Sequence, residues 1–164
     1  MPEKKKNLSS YSPNKIPDAG KMRFGIVVSE WNNEVTGALL KGAVKTLTKH
    51  NALEENIDVS WVPGSYELVL GAQYYAIDKK VDAIICLGCI IQGETRHFEF
   101  ISQAVAKGIM DVSLNHNLPV IFVVLSTDTM EQALDRSGGK HGNKGTEAAV
   151  TAISMTGLRD SFKK

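Results

Sequence analysis

Cysteine is scarce in this sequence: Cys86 and Cys89 are the only two among 164 residues. Both fall in one apolar stretch, which does not fit a secreted disulfide framework, and a reducing, cytoplasmic setting is expected. Charge of one sign is lacking too. A formal net charge of +1 leaves no footprint for nucleic acid or an anionic membrane. No run approaches the ~20 apolar residues of a membrane helix. Residues 1–6 carry charge with no apolar core behind them, so they are not expected to act as a secretory signal.

Few apolar residues occur in 1–20, which instead hold Lys4-Lys5-Lys6 and three prolines. Such a segment cannot bury enough surface to fold alone. It is expected to be a flexible arm, either loose or ordered against a neighbouring chain. The remainder, 21–164, fits one domain, and a chain of this size buries roughly 70% of its unfolded surface.

What is present is organised around residues 82–100. The apolar run 83–91 reads as a strand buried on both faces, as in a parallel sheet. Polar residues 92–97 follow. Then Phe98, Ile101, Val105, Ile109 and Val112 recur at helical spacing. A buried strand therefore ends in a turn that opens a helix, a place where open α/β sheets bind ligands. A helix start also offers free N–H groups to an anion. His97 stands there, and histidine is the side chain suited to exchanging protons near neutral pH.

The rest alternates in the same way. Strands are expected over 22–28, 57–62 and 120–125, the last apolar throughout. A first helix is expected with Asn32 or Asn33 as cap, an apolar face of Val35, Leu39, Leu40, Val44 and Leu47, and an end marked by Lys49-His50-Asn51; a second carries Leu68, Val69, Ala72, Tyr75 and Ala76. Further helices are expected over 129–136 with Thr127 or Asp128 as cap, and over about 146–158. Residues 137–145, with four glycines, read as a loop. Four strands alternating with helices predict a right-handed, parallel, three-layer α/β/α sandwich.

Several motifs carry little. Cys86-x-x-Cys89 has zinc or redox spacing, but zinc wants about four ligands and a redox thiolate usually sits at an exposed helix start. Flanked by Ile84, Ile85, Ile90 and Ile91, the pair reads as core. The stretch 138–146 superficially suggests a P-loop, yet Asn143 precedes Lys144 and Gly145 separates it from Thr146. His50 and His116, near helix ends, read as surface residues. Trp31, Glu67, His97 and the basic group Arg136, Lys140, His141 and Lys144 are each ambiguous alone. But Trp31, residues 65–67, 92–97 and 127–128 all follow strand ends, and independent surface residues would not be expected to line one rim.

Taken together, four ordered segments resemble the 6,7-dimethyl-8-ribityllumazine synthases of riboflavin biosynthesis. These are Phe24-Gly25-Ile26-Val27-Val28-Ser29-Glu30-Trp31-Asn32; Val62-Pro63-Gly64-Ser65-Tyr66-Glu67; Leu87-Gly88 through Gly93-Glu94-Thr95-Arg96-His97-Phe98-Glu99-Phe100; and Glu131 to Arg136 with Lys140-His141-Gly142-Asn143-Lys144-Gly145. The resemblance covers nearly all of 22–158 and implies a flavodoxin-like sheet. It also implies condensation of two small-molecule substrates, 5-amino-6-(D-ribitylamino)uracil and 3,4-dihydroxy-2-butanone 4-phosphate, without metal or organic cofactor.

By the same resemblance His97 is the proton shuttle. Asp135 stands where the family has an acidic residue near that histidine, one methylene shorter than the commoner Glu. Arg136, with the backbone N–H groups of Glu94 and Thr95 and the Thr95 hydroxyl, holds the phosphate; the Glu94 carboxylate is expected to point away. Trp31 replaces the family's usual Phe as the ring platform, and good binding of flavin or lumazine products is expected from it. Asn32, Ser65, Tyr66 and Glu67 match positions that hold the ring edge and ribityl hydroxyls, and Ile91 and Gln92 line the ring pocket. Phe122 and Lys144, with Arg136, match positions supplied by an adjacent subunit of a homopentamer. The compact stretch 138–145 favours members that assemble pentamers into an icosahedral shell.

Three other readings compete: a flavin-binding module without activity, a purely structural shell protein, and a flavodoxin-like electron carrier. The carrier would normally be more acidic than +1. Arg136 and the 94–95 turn favour a phosphorylated substrate over the binding module.

Overall fold

Four strands, β1 (Phe24–Ser29), β2 (Ile57–Val62), β3 (Ala83–Ile91) and β4 (Val120–Thr127), pair side by side in the order β2-β1-β3-β4, all parallel. This is the architecture of the computed structural model, which describes residues 11–78 and 80–163. The helices are α1 (Asn33–Lys49), α2 (Leu68–Asp78), α3 (His97–His116), α4 (Met130–Leu134) and α5 (Lys144–Ser161). The expected three-layer sandwich is therefore present.

Strand alternation sorts the core into two layers. Phe24, Ile26 and Val28 of β1 join Ile85, Leu87 and Cys89 of β3 under α1 and α5, where Leu39, Leu47 and Ile153 are buried. Val27, Ile84 and Cys86 face the opposite way, toward Leu68 and Ala72 of α2 and Val105, Ile109 and Val112 of α3. A side chain of this size contributes roughly 1.5–3 kcal/mol on full burial, so the twelve largest buried residues dominate the hydrophobic term.

Edges and centre differ as a parallel sheet requires. Central β3 is covered on both faces, and its first seven residues are buried. Edge strand β2 leaves Trp61 45% exposed. The fourth strand, apolar throughout its expected span, is the other edge, and Phe122 on it is 44% exposed. Apolar composition cannot distinguish an edge from a centre; only pairing does.

Local expectations change at several points. β1 begins at Phe24 because Met22 is held in a turn, its N–H on Ala19 O, and the Arg23 N–H bonds Asp82 Oδ2 instead of a ladder partner. The cap of α4 is Thr129, whose hydroxyl accepts the Gln132 N–H, and not Thr127 or Asp128. Thr127 is the last residue of β4, and its own hydroxyl donates to Thr129 O. The stretch read as a loop contains a tight antiparallel hairpin, β5 (Ser137–Gly139) with β6 (Gly142–Asn143), and α5 starts at Lys144. Gly138 and Gly142 take positive φ there (137° and 77°), values L side chains rarely adopt.

Of the expected N-terminal arm, residues 1–10, including Lys4 to Lys6, lie outside the described residues. Residues 11–20 pack on the chain's own domain. Ile16 packs against the core, Ala19 is fully buried, and the Ala19 N–H donates to His50 O. The Tyr11 hydroxyl meets His50 Nε2 at 2.8 Å. His50 is consequently buried rather than a surface residue, and His116 is half-buried with Nε2 3.0 Å from Gln73 Oε1.

Candidate active site

Between β1 and β3 the chain crosses to opposite sides of the sheet, so the loops leaving their carboxyl ends splay apart. A cleft of about 500 Å³ opens there, within the range of small-molecule sites. Trp31 and Asn32 line it from the end of β1, Gly64 to Glu67 from the end of β2, and Cys89 to Ile91 from β3. His97 and Ile101 complete it from the first two turns of α3.

Each wall has a local cause. Asn32 adopts a left-handed backbone (φ 58°, ψ 46°) and makes no side-chain cap to α1. Its Nδ2 instead donates to Cys89 O at 3.1 Å, tying the Trp31 turn to the end of β3 across the switch point. The expected helix cap is thus a cross-strand tie. Pro63 stops β2, and Glu67 Oε2 accepts the Gly64 N–H at 3.0 Å, closing the turn that presents Ser65 and Tyr66. Trp31 is 72% exposed, its indole free to meet a ligand. Ser65 is 6% exposed, and its Oγ finds no hydrogen-bond partner among the described residues. A buried hydroxyl left so costs ~1–3 kcal/mol.

On β3 the cleft residues are Cys89, Ile90 and Ile91, whereas Ile91 and Gln92 were expected. Gln92 is exposed and turned to other use: its Nε2 donates to Gly93 O at 2.7 Å and to Thr95 O at 3.4 Å, bracing the turn before α3. Glu94 and Thr95 are exposed on that turn, and Thr95 Oγ1 accepts the His97 N–H at 3.4 Å. Ile101, missed in the sequence, lies one turn after His97; that spacing was the available signal. Cys89 was read as core, and burial pushes its thiol up to about 11 and that of Cys86 up to about 12. Neither is a thiolate nucleophile at neutral pH.

The remaining predicted residues lie outside this cleft. Phe122 and Lys144 line a second depression, about 480 Å³, on the open flank of β4 against α5. Lys144 Nζ reaches both oxygens of Glu147 at 2.9 Å. Arg136 follows α4, with Nη1 donating to Gln132 O at 2.8 Å. Asp135 pairs with Lys140 (2.8 Å), and the ammonium bonded to it holds its carboxyl below the ordinary range. One chain thus brings together Trp31, Asn32, Ser65, Tyr66, Glu67, Ile91 and His97 in one cleft and Phe122 and Lys144 in another, and Asp135 and Arg136 line neither.

Among the described residues no group of three or more His, Cys, Asp or Glu is placed to hold a metal, and no helix is long and apolar enough to cross a membrane. Fold and cleft define a three-layer α/β protein with an open cleft at the carboxyl ends of its parallel strands. The sequence pattern of the 6,7-dimethyl-8-ribityllumazine synthases matches residues 21–160, and the chain belongs to that family. It is 61% identical over 150 residues to the 6,7-dimethyl-8-ribityllumazine synthase of Cytophaga hutchinsonii, covering 92% of this chain and 94% of the relative. The enzymes of the same name from Bacteroides fragilis and Parabacteroides distasonis are 55% and 52% identical over 143 and 149 residues. Those alignments cover 87% and 91% of this chain, and 100% and 93% of the relatives.

Proposed function

We propose that the chain joins 5-amino-6-(D-ribitylamino)uracil to 3,4-dihydroxy-2-butanone 4-phosphate, giving 6,7-dimethyl-8-ribityllumazine, phosphate and water. The observation that carries this reading is the cleft at the β1–β3 switch point, which sets an exposed indole and an imidazole around one space. The pyrimidine brings its own amine, so no enzymic nucleophile is needed, in keeping with two buried, protonated thiols. The amine attacks the ketone to form an imine, phosphate leaves by elimination, and the ring closes. Each step moves a proton, the work assigned to His97.

Trp31 stacks on the pyrimidine, adding roughly 0.5–1.5 kcal/mol beyond burial. Asn32, Tyr66, Glu67 and Ile91 hold its edge and the ribityl chain, and the unpartnered Ser65 hydroxyl takes a hydrogen bond from or gives one to that polyol. Thr95 and the N–H groups of 94 and 95, at the start of α3, hold the phosphate together with Arg136.

Arg136, Phe122 and Lys144 reach the cleft from an adjacent copy in a homopentamer, which further assembles into an icosahedral shell. Support comes from the open flank of β4: an apolar strand with Phe122 exposed is a surface that another copy would cover. Asp135 then lies near His97 of the neighbour. The unit that assembles is a single domain over 21–164, and two unpaired cysteines suit a cytoplasmic location.

The reading is tested by supplying both substrates and following lumazine fluorescence and phosphate release together. His97→Ala is expected to lower kcat by ~10²–10⁴-fold, and Arg136→Ala to raise KM for the butanone phosphate. Wild-type protein that binds a lumazine but releases no phosphate would be a binding module instead.

A further inference from the structure

Asn143 occupies a position that the reaction does not require of it, yet every polar atom of its side chain is engaged. Its Oδ1 accepts the Gly145 N–H at 2.8 Å, capping α5. Its Nδ2 donates to Ser137 O at 3.0 Å and to Ala38 O of α1 at 2.9 Å. Two carbonyls on one side and an N–H on the other fix the amide orientation, because a reversed amide would set oxygen against oxygen. One side chain therefore fastens the hairpin, the start of α5 and the middle of α1 to one another.

The residue thereby held in place is Arg136. Its backbone is clamped between the groups that Asn143 organises: Lys144 N–H donates to Arg136 O at 2.9 Å, and His141 N–H donates to Asp135 O at 2.8 Å. Ser137, the next residue, carries the carbonyl bonded by Asn143. Space around the amide is closed as well. A Cβ on Gly42 of α1 would fall 2.4 Å from Asn143 Oδ1, and one on Gly145 would fall 1.9 Å from Leu39 O.

We propose that Asn143 is a positioning residue for the phosphorylated substrate, setting where the Arg136 guanidinium stands by anchoring its hairpin to α1. The proposal rests on Arg136 being the phosphate ligand. A guanidinium on a short hairpin is aimed only as well as its base is fixed, and displacement of about 1 Å in such a group costs on the order of 10²-fold in rate.

Two substitutions disturb the amide from opposite sides. Asn143→Ser keeps a hydroxyl to accept the Gly145 N–H but loses both donors, and Gly42→Ala pushes on the amide from α1. Steady-state kinetics with each substrate varied separately are the readout. In both variants KM for the butanone phosphate is expected to rise roughly tenfold or more while KM for the pyrimidine stays within about twofold. Adding Asn143→Ser to Arg136→Ala is expected to raise that KM no further, because the anchor then has nothing to aim.

Equal rises in both KM values, or an undiminished effect in the Arg136→Ala background, would overturn the positioning role. So would two well-folded variants with wild-type KM values. If Arg136→Ala itself leaves KM for the phosphate substrate unchanged, the assignment of Arg136 fails first, and the proposal with it. If Asn143→Ser does not fold, Gly42→Ala decides by the same KM comparison; collapse of both would make Asn143 a folding anchor and reject the proposal.

Discussion

His50 shows how one side chain sets a limit on the fold's pH range. It is 8% exposed beneath Tyr11, and burial first, then the charge of Lys49, lowers its pKa from the ordinary 6.5. The folded chain takes up a proton on this ring only at lower pH than the unfolded chain, which does so near pH 6.5. A depressed folded pKa means that the unfolded state binds more protons as pH falls, so stability is complete above about 6.5 and declines toward the lower folded value. Melting temperature should therefore drop between pH 7 and pH 5 more steeply in wild type than in His50→Gln. Parallel slopes would show that another group carries the acid sensitivity. His50 was read from sequence as a surface residue because it ends an amphipathic helix. What covers it lies 39 residues earlier in the chain, where no periodicity points to it.

At the scale of elements, the contact between α1 and α5 is set by small residues, and its cost depends on where a methyl is added. Gly145 sits against the Leu39 carbonyl so closely that a Cβ would lie 1.9 Å from that oxygen, and backbone cannot yield as a side chain can. Gly145→Ala should destabilise by about 3 kcal/mol, the upper end of overpacking costs. Gly37, on the same helix α1, has nothing within 4 Å of an added Cβ. Gly37→Ala should stabilise by ~0.5–1 kcal/mol through helix propensity alone. Urea unfolding of the two variants checks the pair, and destabilisation of both by similar amounts would reject the packing account. β2 and β3 were legible to the residue, because a Pro-Gly stop and a closed apolar run each mark their bounds locally. The 137–145 hairpin was not. Four glycines in nine residues look like a loop until Asn143 is known to reach Ala38, 105 residues away.

For the whole molecule, the exposed apolar side chains are the informative feature. Phe122, Trp61, Tyr74, Phe100 and Leu114 are each 44–70% exposed, and both sheet edges are free of further strands among the described residues. Single exposed residues are ordinary, but a strand flank carrying Phe122 over a 480 Å³ depression is the feature on which the proposed assembly rests. Sedimentation should show pentamers or shells built from them, and Phe122→Glu should shift the distribution toward smaller species with loss of activity. Five-subunit particles alone, across a range of buffers, would remove the shell. Fully active monomers would remove the shared site.

The sequence by itself determined the α/β alternation, the two-faced core and the rim on which most candidate residues stand. Each of these follows from the spacing of apolar and polar residues within one element, and burial averages over such short distances. Only the tertiary structure decided that β4 is an edge and that Asn32 ties β1 to β3 instead of capping a helix. Those outcomes depend on which distant segments meet, and a hydrogen bond spanning 57 residues, as between Asn32 and Cys89, leaves no periodic trace along the chain.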